Sequence, residues 1–450
     1  MAERSPDPRP LAVPASRLAR LGRLGSLTAG VAGNMALNGL AQVGQGQRPS
    51  MRNLLLTPRN IGKVADQLAQ MRGAAMKMGQ LISMDTGDVL PPELAQIMAR
   101  LRDDAHIMPP AQLKQVLNTE WPKDWLRAFK RFDVRPIAAA SIGQVHRAET
   151  KDGRELAIKV QYPGVSRSID SDVSNVGAII RMSGLLPKGF ELGPYLEDAK
   201  RQLHAETDYM AEGAQMNRFA DLLREMPEFV VPALQSDWTT PQILVMSFEA
   251  GAPIEDAATE CQEMRDRIAT RMIDLTLREL FEFGHMQTDP NFANYRYRAE
   301  TGQIVLLDFG AAGEIEPVVV DQYRRLMQAG LAQEAGALTG LLDEIGLTGA
   351  QTVEAHRAQI LRMIGMVFEA LQQSPVYDFS DNSLSQRMQR EGMALAEAGF
   401  VPPPLPMGYL LVQRKLGGVF LLAARLRARV DVLALLERYL GRPEGPADGS

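Results

Sequence analysis

Two short phrases carry side chains of the type and spacing that phosphate chemistry needs. The first is Gln287-Thr288-Asp289-Pro290-Asn291-Phe292-Ala293-Asn294, in which an Asp precedes an Asn by five positions. The second is Leu307-Asp308-Phe309-Gly310, where an apolar strand ends in Asp-Phe-Gly. Magnesium takes hard oxygen ligands and leaves part of its shell to water and substrate phosphates. Asn294 and Asp308 offer such oxygens and are the metal-binding candidates. Asp289 is the catalytic candidate, suited to orient a nucleophile or take its proton. The chemistry implied is phosphoryl transfer, with ATP and Mg2+ as cofactors.

Further residues fit the same chemistry. In Ala157-Ile158-Lys159-Val160, strand alternation puts Ala157 and Lys159 on one face and Leu156, Ile158 and Val160 on the other. A strand lysine alone is more often a solvated charge; upstream of Asp289 and Asp308 in this order it reads as the phosphate lysine. Its carboxylate partner is sought in Ala205-Glu206-Thr207-Asp208-Tyr209 and at Glu212. On one continuous helix Asp208 and Glu212 share a face and Glu206 points elsewhere, which favours Glu212 and leaves Glu206 as the alternative. Met246 and Phe248, in the strand Ile243 to Phe248, join the cofactor-binding candidates. So do Ala138, Ala139, Ala140 and Ser141, which stand where ordinary protein kinases carry a Gly-rich loop. Alanine resists φ > 0, so this loop should be stiffer. In Lys77-Met78-Gly79-Gln80, Lys77 and Gln80 share a helix face; on spacing alone they read as an exposed polar pair.

Two absences also inform. Gln287-Thr288 replaces the usual His-Arg before the catalytic Asp. After Gly310 a helix is expected by about Val320, with no Ala-Pro-Glu and little room for a peptide-binding activation segment.

The elements that must position these residues follow from periodicity. Helices are expected from Thr57 to about Met84, from Pro91 through Leu101 and from Pro109 through Val116. Strands follow at Ile142 to Ala148 and Glu155 to Gln161, joined by a turn at Asp152-Gly153. Helix resumes over about Ser168 to Leu185 and Tyr195 to Leu223; short strands fall near Tyr295-Tyr297 and Ile304-Leu307. The expected segments are a basic N-terminal stretch 1–53, a helical extension 54–130, a small lobe 131–250, a larger lobe 251–440 and a flexible tail 441–450.

With 450 residues, 45% of them hydrophobic, the chain can bury a large core. A net charge of −5 gives no global argument for nucleic acid. Cys261 is the one cysteine, which excludes an internal disulfide. Charge is uneven: no Asp or Glu occurs between Arg9 and Lys63, while Arg17, Arg20, Arg23, Arg48, Arg52 and Arg59 do. Leu27 to Leu40 within it falls short of the ~20 apolar residues of a membrane span. Three readings stand: a flexible basic tail, a segment drawn to anionic lipid, and a mitochondrial transit peptide.

Taken in this order, the phrases resemble the UbiB family of atypical kinases (AarF-domain, ADCK-type), in its coenzyme Q branch, over about Leu54 to Leu440. The resemblance rests on Lys77-Met78-Gly79-Gln80 with the Ala-rich loop, on Lys159, on Glu206-Thr207-Asp208, and on the two phrases above. It implies an α+β, bilobal protein-kinase-like fold, with a small β-containing N-lobe, a helical C-lobe and the N-terminal extension packed across the active site. It places Lys77 and Gln80, near Glu206 and Asp208, where a peptide would otherwise lie, and makes them part of the catalytic set. It implies ATP and magnesium binding, ATPase activity, and support of ubiquinone biosynthesis at a membrane, without typical protein phosphorylation. Implied partners are lipid or quinone precursors, a membrane surface, ubiquinone-biosynthesis proteins and a second copy in a homodimer, with no nucleic acid. The compartment would be cytoplasmic and peripheral to the inner membrane in a bacterium, or the mitochondrial matrix and inner membrane in a eukaryote.

The chain departs from the family in reading Asp-Pro-Asn-Phe-Ala-Asn where many members have Asp-Pro-His-Pro-Gly-Asn. Some bacterial members end in membrane spans; here Arg414, Lys415, Arg425, Arg427, Arg429 and Asp431 interrupt Tyr409 to Leu440. Alternative functions are a small-molecule kinase acting on an isoprenoid or phenolic precursor, and a non-catalytic nucleotide-gated scaffold or lipid chaperone.

Overall fold

The computed structural model describes residues 73–74, 107–140, 142–183, 192–400, 403 and 405–441. The basic segment, the helix expected over 91–101, that expected over 57–84 apart from residues 73–74, Lys77, Gln80, Ser141 and the tail from 442 lie outside the described residues. The described chain forms two compact units. One runs to Ala214 and takes Ala233–Phe248; the other holds Gln215–Pro232 and the chain from Glu249.

In the first unit, helix α1 (Pro110–Glu120) opens on prolines, whose missing N–H costs nothing in a first helical turn. Strands β1 (Phe129–Phe132), β2 (Ala138–Ala139), β3 (Gly143–Thr150) and β4 (Glu155–Gln161) follow. The β3–β4 turn rests on Gly153 at φ +88°, a conformation open to glycine. Helices α2 (Ile169–Ser183), α3 (Gly193–Glu206) and α4 (Tyr209–Leu222) come next; β5 (Phe229–Val230) belongs to the second unit, and β6 (Ile243–Ser247) returns to the first. The sheet is antiparallel, ordered β1-β3-β4-β6 with β2 beside β3.

Alternation along β4 does what the sequence predicts. Leu156, Ile158 and Val160 enter a core with Ala148, Ile243 and Val245, closed by Trp121, Trp125 and Phe129. Leu113, Val116 and Leu117 of α1 fill the same core. Each such side chain gains about 1.5–3 kcal/mol from burial. The helix opened by Pro109-Pro110 is thus built into the hydrophobic centre of the first unit.

The structure corrects the continuous helix expected over Tyr195 to Leu223. It breaks at Thr207-Asp208, between α3 and α4. Thr207 Oγ1 donates to the His204 carbonyl at 2.7 Å, and Asp208 Oδ1 accepts from the Ala211 N–H at 2.9 Å. Thr and Asp offer the backbone side-chain partners, so they favour ends and caps over helix interiors. Asp208 therefore precedes α4 and does not share a helix with Glu206.

The second unit is mostly helical: α5 (Gln262–Arg278), α6 (Pro317–Leu331), α7 (Ala335–Ile345), α8 (Glu354–Gln372), α9 (Ser383–Glu397), α10 (Met407–Leu426) and α11 (Val432–Leu440). Helix α6 opens at Pro317, in keeping with a helix expected by about Val320, because proline at its first position pre-sets the helical φ. Strands β7 (Ala252–Pro253), β9 (Tyr295–Tyr297) and β10 (Ile304–Leu306) join β5 in the order β5-β10-β9-β7. A ribbon pairs β8 (His285–Gln287) with β11 (Ala312–Glu314); a second pairs β12 (Tyr377–Asp378) with β13 (Arg429–Val430). Leu280, Met286, Ile315, Val319, Tyr409 and Val412 form the core beneath the first ribbon. Among the described residues no helix is long and apolar enough to cross a membrane.

Candidate functional site

In the first unit Lys159 stands on the face of β4 opposite the core. Ladder pairing sets Ala157 against Met246 and Lys159 against Leu244. Lys159 Nζ donates to both carboxylate oxygens of Glu212, at 2.9 and 3.1 Å. The two side chains are 10% and 2% exposed, so this is a buried ion pair. Breaking such a pair from one side typically costs about 3–5 kcal/mol, because the other charge is left without its partner. The Nζ also lies 5.2 Å from the ring centroid of Tyr209, a favourable cation–π distance. Glu212 lies in the first turn of α4, where the helix dipole favours a negative charge.

The other candidates in this unit divide. Met246 is buried beside Ala157. The Phe248 ring lies under the Arg147 guanidinium, 4.2 Å from carbon to centroid, and Arg147 is itself paired with Glu155. Glu206 ends α3, and Asp208 is exposed and occupied by its cap. Neither is the residue that meets Lys159. Ala138 and Ala139 pair with Val145 and Gln144, and the Ala140 N–H donates to the Gly143 carbonyl at 2.9 Å. The alanines thus form a hydrogen-bonded edge in place of a bare glycine arch. A Cβ on Gly143 would lie 2.3 Å from the Val160 carbonyl oxygen, so close backbone approach requires glycine there.

In the second unit the two diagnostic phrases meet through short strands. Loop 288–294 leaves β8, and Asp308-Phe309-Gly310 enters its partner β11. Thr288 donates to the Ala311 carbonyl through its N–H (3.1 Å) and its hydroxyl (2.8 Å), fastening the start of one phrase to the end of the other. The β9–β10 hairpin completes the arrangement. It pairs Tyr295 with Leu306, and the Leu307 N–H donates to the Asn294 carbonyl at 2.9 Å. Asn294 and Asp308 therefore flank the open end of one hairpin. Asn291 caps the turn over Phe292–Asn294 by accepting from the Ala293 N–H. Phe309 is 1% exposed and packs on Phe219, ring centroids 5.2 Å apart, while Asp308 Oδ1 accepts from the Gly310 N–H at 3.0 Å.

These donors fit magnesium. Asn294 Nδ2 donates to the Asp289 carbonyl at 3.3 Å, which turns the amide oxygen, a hard ligand, away from that contact. Among the described residues no group of three or more His, Cys, Asp or Glu is arranged to hold a metal alone. A two-residue set suits an ion that completes its shell with water and phosphate oxygens.

Behind the loop stand residues that motif spacing does not reveal. Arg414 Nη2 approaches Asp289 Oδ1 at 3.4 Å, with the two side chains 9% and 17% exposed. Next to it Lys415 is fully buried and paired with Glu279 at 3.2 Å. One turn further along α10, a Cβ on Gly418 would lie 2.2 Å from Pro290 Cβ. In the sequence these residues only interrupt an apolar run. The available signal was a pair of adjacent basic residues inside a helix otherwise apolar enough to be buried.

Comparison with known proteins gives a consistent picture. Residues 100–339 match the ABC1 atypical kinase-like domain. The chain is 36% identical over 429 residues to "Atypical kinase COQ8, mitochondrial" of Saccharomyces cerevisiae, covering 94% of this chain and 85% of that protein. It is also 36% identical to the rat "Atypical kinase COQ8B, mitochondrial", covering 93% of this chain and 79% of that one. Among solved structures it resembles Rv3197 of Mycobacterium tuberculosis, determined with erythromycin. The TM-score is 0.59 at 24% identity, covering 82% of this chain and 92% of that one, a likeness of fold.

Proposed function

The chain belongs to the ABC1 atypical kinase-like family, a family of kinase-like enzymes, and from that premise we propose an ATP- and magnesium-dependent atypical kinase or ATPase that supports ubiquinone biosynthesis at a membrane surface. The observation that carries this reading is the hairpin setting Asn294 beside Asp308, with Asp289 on the same loop. Lys159, fixed by Glu212, is assigned the α- and β-phosphates. Asn294 and Asp308 would hold magnesium, which when bound supplies charge neutralisation at the phosphates. Asp289 orients the nucleophile, water or a small hydroxyl, or accepts its proton. Lys77 and Gln80 are assigned to the same catalytic set by family resemblance.

Ala311–Glu316 alone separates Gly310 from helix α6, and three of those residues are committed to β11. So short a segment argues against a peptide acceptor; a lipid-linked or phenolic one is proposed from the family resemblance. The two relatives compared above are named mitochondrial; for this chain a peripheral place on an inner membrane is the corresponding proposal. The test is ATP turnover with and without anionic liposomes and phenolic quinone precursors, using γ-labelled ATP. The reading predicts stimulation by both additions with the label released as phosphate. Label on the precursor would identify a small-molecule kinase instead. A flat response would remove the membrane-coupled reading.

A further inference from the structure

The end of α5 passes through Glu279–Phe283 into Gly284, and the chain then enters β8. Glu279, on this bend, is 1% exposed. Its carboxylate meets Lys415 of α10 at 3.2 Å, and both side chains are 1% exposed. Lys415 Nζ makes two further contacts: to Gln287 Oε1 at 3.3 Å and to the Tyr295 hydroxyl at 3.1 Å. The Tyr295 O–H in turn donates to Gln287 Oε1 at 3.2 Å. The triangle is closed and oriented, with the ammonium donating twice and the amide oxygen accepting twice. Gln287 Nε2 is left buried without a hydrogen bond. Keeping that orientation outweighs the cost of the orphaned donor.

The position of these partners is the point. Gln287 stands two residues before Asp289, and Tyr295 directly follows Asn294. We propose that Lys415 is a positioning residue that clamps both ends of the Asp289–Asn294 loop, so that the separation of the catalytic Asp and the metal-binding Asn is set from α10. Gln287 and Thr288 stand where other kinases carry His-Arg, so this chain needs another way to anchor the loop's start. Glu279 is the counter-ion that lets a lysine occupy that interior, and Gly418 lets α10 approach Pro290 closely enough for Lys415 to reach. Lys415 is too deeply buried to meet a substrate.

The role assigned rests on the magnesium–ATP reading, but the clamp itself has a readout independent of nucleotide. Tyr295→Phe keeps the ring and the Lys415–Glu279 pair while removing the hydroxyl. The double variant Lys415→Met/Glu279→Gln removes both charges together and leaves neither alone in the interior. With far-UV circular dichroism and thermal midpoint confirming the fold, amide exchange across residues 288–295 should speed up about tenfold in both variants, with the rest of the chain unchanged. In turnover assays the magnesium concentration for half-maximal rate should rise several-fold, while magnesium-free ATP affinity holds. Lys415→Arg should restore part of the loss in Lys415→Met. Wild-type exchange across 288–295 in the folded Tyr295→Phe protein would overturn the clamp. Wild-type protein that turns over no ATP would instead remove the functional reading, while loop exchange would still decide the clamp.

Discussion

Glu212 keeps a carboxylate 2% exposed because Lys159 meets it with two hydrogen bonds, and Lys159 tolerates its own burial for the same reason. The Lys159 half of this pair is legible in the sequence: a period of two separates Lys159 from Leu156, Ile158 and Val160, and the core contains those three and excludes Lys159. The other half was favoured in the sequence, where helix-face spacing points to Glu212 and leaves Glu206 as the alternative. The two hydrogen bonds from Lys159 decide for Glu212; the helix break made by the caps at Thr207 and Asp208 is what periodicity does not register. Glu212→Gln removes the charge and leaves Lys159 buried with a weaker partner. We expect about 3 kcal/mol of lost stability in urea unfolding and at least about a tenfold drop in ATP turnover from a mispositioned lysine. Unchanged stability and turnover together would contradict the assigned pairing. Arg414 and Lys415 mark the limit of residue-scale reading, because their partners Asp289 and Gln287 lie more than a hundred positions away and only the tertiary return of α10 brings them together.

The elements that were hardest to see are the shortest. The β8–β11 ribbon is three residues to a side, too few for alternation to register, yet it joins the two diagnostic phrases. The β9–β10 hairpin was visible as two short strands, but not its consequence for Asn294 and Asp308. A second arrangement at this scale lies in β3. Gln144 Oε1 accepts from the Met108 N–H at 2.8 Å, and its amide contacts His146 Nε2 at 2.8 Å. His146 Nδ1 lies 2.9 Å from the Asp133 carbonyl, which fixes a neutral ring with its proton on Nδ1 and its acceptor toward Gln144. Burial lowers the His146 pKa below its ordinary 6.5, against a smaller opposite pull from Asp133. The unfolded chain then binds a proton that the folded chain refuses, so stability falls as pH drops below about 6.5, until the folded pKa is reached. Burial, with Arg218 adding to it, lowers His285 in the same direction. Urea unfolding between pH 7 and 5 should show this slope, weakened in His146→Gln and further weakened when His285→Gln is added. A slope identical in all three proteins would remove these histidines from the account.

Across the whole molecule, composition and motif order were enough for the α+β kinase-like class, because each chemical phrase came in the order that fold requires. What composition could not supply is the acceptor. The short Ala311–Glu316 connection leaves little chain for a peptide platform, and among the described residues no helix is long and apolar enough to cross a membrane. All of this depends on one claim: that Asn294 and Asp308 hold magnesium on ATP. The most direct measurement is magnesium-dependent ATP turnover by the wild-type chain and by Asp308→Asn, paired with ubiquinone production in cells relying on each. The account predicts that Asp308→Asn folds, loses at least about a hundredfold in turnover, and fails to sustain the quinone. Turnover and quinone levels equal to wild type in that variant would contradict it.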